Sequence, residues 1–159
     1  MKLTVGAVVV KVNTIGSSAV MKLDDMDWHL NDAATEQQAS MHMALVFCWL
    51  VGRGYLQVLG DQWHDWPTIF KRRELSPADF FIAYSDGKLI SNDICSPRAK
   101  IFLEDWYRKT YLRAIATGGI PGAQHSKHFE EPYNLVNSWK NIDKTSKSFD
   151  KIFQKWQRT

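Results

Sequence analysis

Asp24-Asp25-Met26-Asp27-Trp28-His29 places three carboxylates and one imidazole within six residues. A second imidazole, His42, interrupts an otherwise apolar run from Met41 to Val51. Oxygen ligands of this kind suit Mg²⁺ or Ca²⁺, and carboxylate combined with imidazole suits Zn²⁺, Mn²⁺ or Fe²⁺. A metal-assisted hydrolase would use Asp24, Asp25, His29 and His42 to hold an ion that activates water. Against this, the spacing matches no calcium-binding loop, and the chain has no His-x₃-His pair. The same residues also suit a turn. Asp24, Asp25 or Asp27 can accept backbone N–H bonds and arrest a strand, with Trp28 packed and His29 on a carbonyl. If His42 meets Asp24 or Asp25, the pair is a base or, more often, a brace, and a raised imidazole pKa is expected. Asp25, His29 and His42 are therefore structural residues or metal candidates. No catalytic residue and no cofactor is assigned.

A second constellation is Trp63-His64-Asp65-Trp66, two large rings around an imidazole and a carboxylate. In a loop this makes an aromatic anchor with polar handles, the composition of a protein-binding hot spot. We assign partner binding to Asp24, Asp25, Asp27, Trp63, His64, Asp65 and Trp66. His125 and His128 lie at i, i+3, a metal pair only if helical. Nucleophilic catalysis has little support. No Gly-x-Ser-x-Gly elbow occurs, and Cys48 sits in the apolar run. Gly118-Gly119-Ile120-Pro121-Gly122 lacks the Lys-Ser/Thr of a phosphate-binding loop.

The elements that position these residues are mostly helices. Residues 3–12 and 18–23 read as two strands joined by Asn13-Thr14-Ile15-Gly16-Ser17, because Val8-Val9-Val10 and Val12 are β-branched. Glu36 to Val51 reads as a helix buried nearly all round, stopped at Gly52 and Gly54. A second helix starts near Pro67 and covers Thr68 to Arg73. Ser76-Pro77 opens a third, with Ser76 as N-cap, Pro77 at the first helical position and Asp79 closing a shortened capping box. Asp86-Gly87 ends it. Ser96-Pro97 opens the longest helix, 97 to about 117, with Ala99, Phe102, Leu103, Trp106 and Thr110 on one stripe. The last helix spans about Ser146 to Gln157, with Phe149, Ile152, Phe153 and Trp156 on one face.

The chain of 159 residues is sized for one domain and long enough to bury a real core. It is 45% hydrophobic and 23% charged, with seven Trp, eight Phe and five Tyr. The expected architecture is a mainly α, compact single-domain bundle of about five helices with a short N-terminal β element. Residues 1–21 form the β appendage and 22–159 the helical core. A net charge of +3 is too small to indicate a nucleic-acid binder, although six Lys/Arg and two Asp crowd into Lys140 to Thr159. That run reads as a solvated helix face. The two cysteines, Cys48 and Cys95, build no disulfide framework and no CxxC site, which fits the cytosol. No apolar run is long enough for a membrane span.

Several landmarks recur in one order. They are Lys22-Leu23-Asp24-Asp25 with Trp28-His29, His42 and Trp49 before Gly54-Tyr55-Leu56, and Arg73-Glu74-Leu75-Ser76-Pro77 with Phe80-Phe81. Asp86-Gly87-Lys88-Leu89, Trp106-Tyr107, Tyr133 and Trp139 complete the set. In these the chain resembles, over about residues 22 to 157, a bacterial family of small proteins described as a domain of unknown function. The segment from Gln57 to Trp66 departs from that pattern. The resemblance implies an association with toxin–immunity loci, hence a cytoplasmic protein that binds and blocks a cognate protein toxin. A metal-assisted hydrolase is the alternative, and a weak nucleic-acid binder using the C-terminal Lys/Arg helix the second. No membrane association is expected, and the oligomeric state is left open.

Overall fold

In the computed structural model, which describes residues 21–57, 65–127 and 133–159, the helix starts follow the capping chemistry of the sequence. Thr35 Oγ1 accepts from Gln38 N at 3.1 Å and opens α1, Glu36–Gly52. Every side chain from Ala39 to Val51 is buried, so α1 is the central rod of the core. Its end is a Schellman turn. Gly54 is left-handed (φ 72°), Tyr55 N donates to Leu50 O, and Gly54 N donates to Val51 O. The short α2, Trp66–Arg72, ends on left-handed Arg73.

Ser76 caps α3, Pro77–Ser85, by accepting from Asp79 N. The Asp79 carboxylate does not return to the Ser76 backbone as a capping box would require. It accepts instead from Gln37 Nε2 and ties α3 to α1. Left-handed Asp86 and Gly87 then turn the chain into β2, Lys88–Ile90. A side chain at Gly87 would press on Met26, whose Cβ would lie 3.0 Å away.

β2 pairs antiparallel with β1, Lys22–Asp25, in a two-stranded sheet. Asp24 stands opposite Leu89 and Asp25 opposite Lys88, with the register irregular between Lys22 and Asp24. A bulge re-aims side chains locally, which accounts for three consecutive buried residues, Leu23, Asp24 and Asp25. The expected partner strand, residues 3–12, lies outside the described residues. The strand that does pair with β1 follows α3 in the chain.

Ser96 caps the fourth helix, α4, residues 97–116. It runs as α-helix through Pro97–Trp106, as π-helix through Tyr107–Tyr111, and as α-helix again through Leu112–Ala116. The wider π turn inserts one residue into the stripe. Thr110, expected to face inward, is exposed, and Tyr107, Tyr111 and Ile115 take the buried side.

The fifth helix, α5, spans Trp139–Gln157 and starts well before the expected Ser146, capped by Ser138. Its first turns are polar in sequence, yet Asn141 is buried. Asn141 bonds the Gln124 N–H, the Gln124 carbonyl and the Val136 carbonyl, which anchors the preceding loop. α1 packs against α3 and α5, and Trp49 meets rings from the turn after α1, from α4 and from α5: Tyr55, Phe102, Phe149 and Phe153. The result is a mainly α single domain of five helices with one small N-terminal sheet among the described residues. No helix there is long and apolar enough to cross a membrane.

Candidate functional site

β1 delivers Asp24, the following 3₁₀ turn Met26–Trp28 delivers His29, and α1 delivers His42. The three meet around one buried carboxylate. Asp24 Oδ1 lies 2.6 Å from His29 Nε2 and accepts from Asp25 N at 2.9 Å. Asp24 Oδ2 lies 3.0 Å from His42 Nε2 and accepts from the Tyr107 hydroxyl at 2.8 Å. The two imidazoles cross edge to face, with ring centroids 4.5 Å apart.

A second layer fixes the first. Tyr133 Oη lies 2.8 Å from His29 Nδ1. If both imidazoles are neutral, each Nε2–H donates to Asp24 and the Tyr133 hydroxyl donates to His29 Nδ1. Tyr111 donates to the His42 carbonyl at 2.6 Å. Arg108 donates to the carbonyls of Lys22 and Leu23 on the outer edge of β1. Within the cluster, His42 Nδ1 is buried without a hydrogen-bond partner. The side chain of His42 has no exposure, whereas that of His29 keeps 16%.

Burial opposes ionisation of Asp24, but the hydrogen bonds from His29 and His42 and their positive character outweigh it. The carboxyl is held well below the usual carboxylate range. For His42 the balance goes the other way. Complete burial lowers its pKa, and the Asp24 hydrogen bond and charge only partly oppose that. The raised value expected from a His–Asp pair is thus corrected, because desolvation exceeds pairing when the imidazole has no water at all. Burial also raises the Tyr107 and Tyr111 hydroxyls far above their normal value, so both remain donors.

Both lowered values act in the same direction with pH. The unfolded chain takes up a proton on His42 below about 6.5 that the folded chain resists, so acidification favours unfolding. The contribution of Asp24 is complete above 3.8 and is lost as pH falls through its lower folded value. Urea unfolding midpoints should therefore decrease between pH 7.5 and pH 5.5 and decrease further below pH 4. A midpoint that is level or higher at pH 5.5 would contradict a depressed His42.

The other sequence candidates have different fates. Asp25, expected beside His29 and His42, faces away from them. Its carboxylate pairs with Lys22 Nζ at 2.7 Å and caps the 3₁₀ turn through Asp27 N. Burial raises its pKa, but the hydrogen bonds from Lys22 and Asp27 N prevail and lower it. Asp27 is exposed in that turn. Asp65 is exposed and accepts from the Tyr84 hydroxyl, while Trp66 opens α2 half-buried against the core. Trp63, His64 and His128 lie outside the described residues. His125 bonds Asn134 Oδ1 at 2.7 Å. Cys48 is buried in α1, its thiol pushed far up by burial, and Cys95 is exposed.

The tyrosines of the cluster were missed by sequence reasoning. Tyr107, Tyr111 and Ile115 do form an i, i+4, i+8 series, offset by one from the Phe102–Trp106 stripe. That offset was the available signal. Cavities among the described residues lie elsewhere, two of them as follows. A cleft of about 350 Å³ beside Cys48 is lined by Arg53, Phe70, Lys71, Arg73 and Lys147. An apolar groove of about 410 Å³ runs between Phe102, Trp106, Ile120, Ile152 and Trp156. Neither is lined by Asp24, His29 or His42.

Trp28 stands 53% exposed at the end of the 3₁₀ turn. Lys22 Nζ lies 5.5 Å and the Arg108 guanidinium 5.6 Å from its ring centre. Met21 and Leu30, close in the chain, are also exposed apolar side chains, at 48% and 36%.

Compared with known proteins, the chain matches the model of a family described as a domain of unknown function, DUF7832, over residues 22–134. The matched span is well over half of the 159 residues and contains every member of the Asp24 cluster. It ends before α5, so Trp139 falls outside it. No curated protein and no solved structure matches the chain.

Proposed function

We propose, for a chain that belongs to the DUF7832 family of domains of unknown function, an immunity-type role: it binds a cognate protein toxin and occludes that toxin's active site. The observation that carries the binding reading is Trp28. A half-exposed indole is an expensive group to leave in water, and Trp and Arg dominate binding hot spots. This ring is also pre-organised. Arg108 and Lys22 both lie against it, and both are themselves tethered, Arg108 to β1 carbonyls and Lys22 to Asp25. A partner that covers it therefore loses little side-chain entropy to the anchor.

The chemistry around the ring selects the partner. An indole flanked by two cations suits an apolar pocket rimmed by carboxylates, in keeping with the net charge of +3. It suits a nuclease groove less well, because such a groove is itself basic. The toxin is expected from the adjacent gene.

Co-expression with that gene product should give a complex that survives high salt and restores growth of the host. Trp28→Ala should weaken the complex by about 2–4 kcal/mol, roughly 30- to 1,000-fold in Kd, with an unchanged melting temperature. An unchanged Kd would remove Trp28 as the anchor. A neighbour that is neither toxic nor bound would remove the immunity reading itself.

A further inference from the structure

We propose that Asp24, His29 and His42 form a binding site for one divalent transition-metal ion of the Zn²⁺ class. Two imidazoles and a carboxylate are the donor set such ions take, and they discriminate against Mg²⁺ and Ca²⁺, which prefer oxygen alone. One ligand atom from each residue lies within 4.8 Å of the others. Atoms bonded to one tetrahedral ion at about 2.0–2.2 Å sit about 3.3–3.6 Å apart. The Asp24–His29 and Asp24–His42 separations of 2.6 and 3.0 Å therefore need to open by about 1 Å or less.

The surroundings have the form that holds metal ligands in place. A ligating imidazole needs its second nitrogen fixed, and His29 Nδ1 is fixed by the Tyr133 hydroxyl. A ligating carboxylate needs outer hydrogen bonds, and Asp24 has the Asp25 N–H on one oxygen and Tyr107 on the other. Binding by neutral imidazoles is proton-neutral. The Nε2 proton of His29 moves to Nδ1, where the Tyr133 oxygen accepts it. The Nε2 proton of His42 moves to Nδ1, the atom now without a partner. The partly exposed edge of His29 is the route by which an ion enters.

The experiment uses chelator-treated full-length protein. Co²⁺ titration followed by its visible d–d absorption, and Zn²⁺ competition against a chromophoric chelator, report stoichiometry and affinity. One ion per chain is expected, with a higher melting temperature in Zn²⁺. His29→Gln should weaken binding at least 100-fold while the far-UV circular dichroism is unchanged. Cys95→Ser, which removes an exposed thiol outside the cluster, should bind as the wild type does. If His29→Gln does not fold, Tyr133→Phe decides: a 10- to 100-fold loss supports the site, and an unchanged affinity overturns it. The proposal is also overturned if the folded wild type shows no saturable one-to-one binding, or if folded His29→Gln binds equally well. Either result would leave the cluster as a hydrogen-bonded brace.

Discussion

Asp24→Ala should destabilise the domain by about 3–5 kcal/mol, the cost of removing one partner from a buried charged cluster. The substitution leaves four donors facing an empty position: His29 Nε2, His42 Nε2, the Tyr107 hydroxyl and the Asp25 N–H. Two of these groups, on His42 and Tyr107, are fully buried and find no water in exchange. At about 2–4 °C per kcal/mol for a chain of this size, the melting temperature should fall by about 6–20 °C. Asp24→Asn separates charge from hydrogen bonding. Its carbonyl still accepts, and its amide can donate to His42 Nε2 if that ring takes the other tautomer, so the loss should be clearly smaller. Guanidinium unfolding of the three proteins at pH 7.5 provides the check. An alanine variant with the wild-type midpoint would mean that the cluster does not hold β1 to the core.

Trp49→Ala should cost about 3–5 kcal/mol by a different route, the loss of apolar burial plus an unfilled cavity. Trp49 has no exposure and meets four other rings. Its indole N–H also donates to Asp150 Oδ1 at 2.9 Å, a carboxylate that Arg53 grips as well. Because Arg53 keeps Asp150 satisfied, Trp49→Phe should lose much less, about 1–2 kcal/mol. The midpoint of urea unfolding for each variant distinguishes these values. Near-equal losses for Phe and Ala would instead make the hydrogen bond to Asp150 the main contribution.

Much of the fold could be read from short-range chemistry. Ser76-Pro77 and Ser96-Pro97 mark helix starts because a hydroxyl and a fixed φ act over three residues. The all-apolar run before Gly54 could be read as a buried rod for the same local reason. What could not be read depends on residues distant in sequence. Lys88-Leu89-Ile90 is too short to announce a strand until Lys22–Asp25 pairs with it. The first turns of α5 look like surface because Asn141 is polar, and its partners are loop carbonyls supplied by Gln124 and Val136.

The site follows the same division. His42 was conspicuous as the one polar group in its run, and it does face a carboxylate. Which carboxylate depends on the bulge in β1, a one-residue matter that no spacing rule resolves: Asp24 turns inward and Asp25 turns to Lys22. Tyr107 and Tyr111 join because a π turn shifts their helix by one position. A tyrosine hydroxyl has no directional signature in sequence until its helix face is known.

The buried rod α1 has a consequence for how the protein is made. Residues 39–51 leave the ribosome before α5 is made and carry no charge apart from any on His42. The last rings that cover them, Phe149 and Phe153, are about 100 residues further on. At about 5–20 residues per second, translation leaves this stretch uncovered for about 5–20 s. During that interval it is an apolar segment open to a chaperone. Folding of the core waits on the arrival of α5.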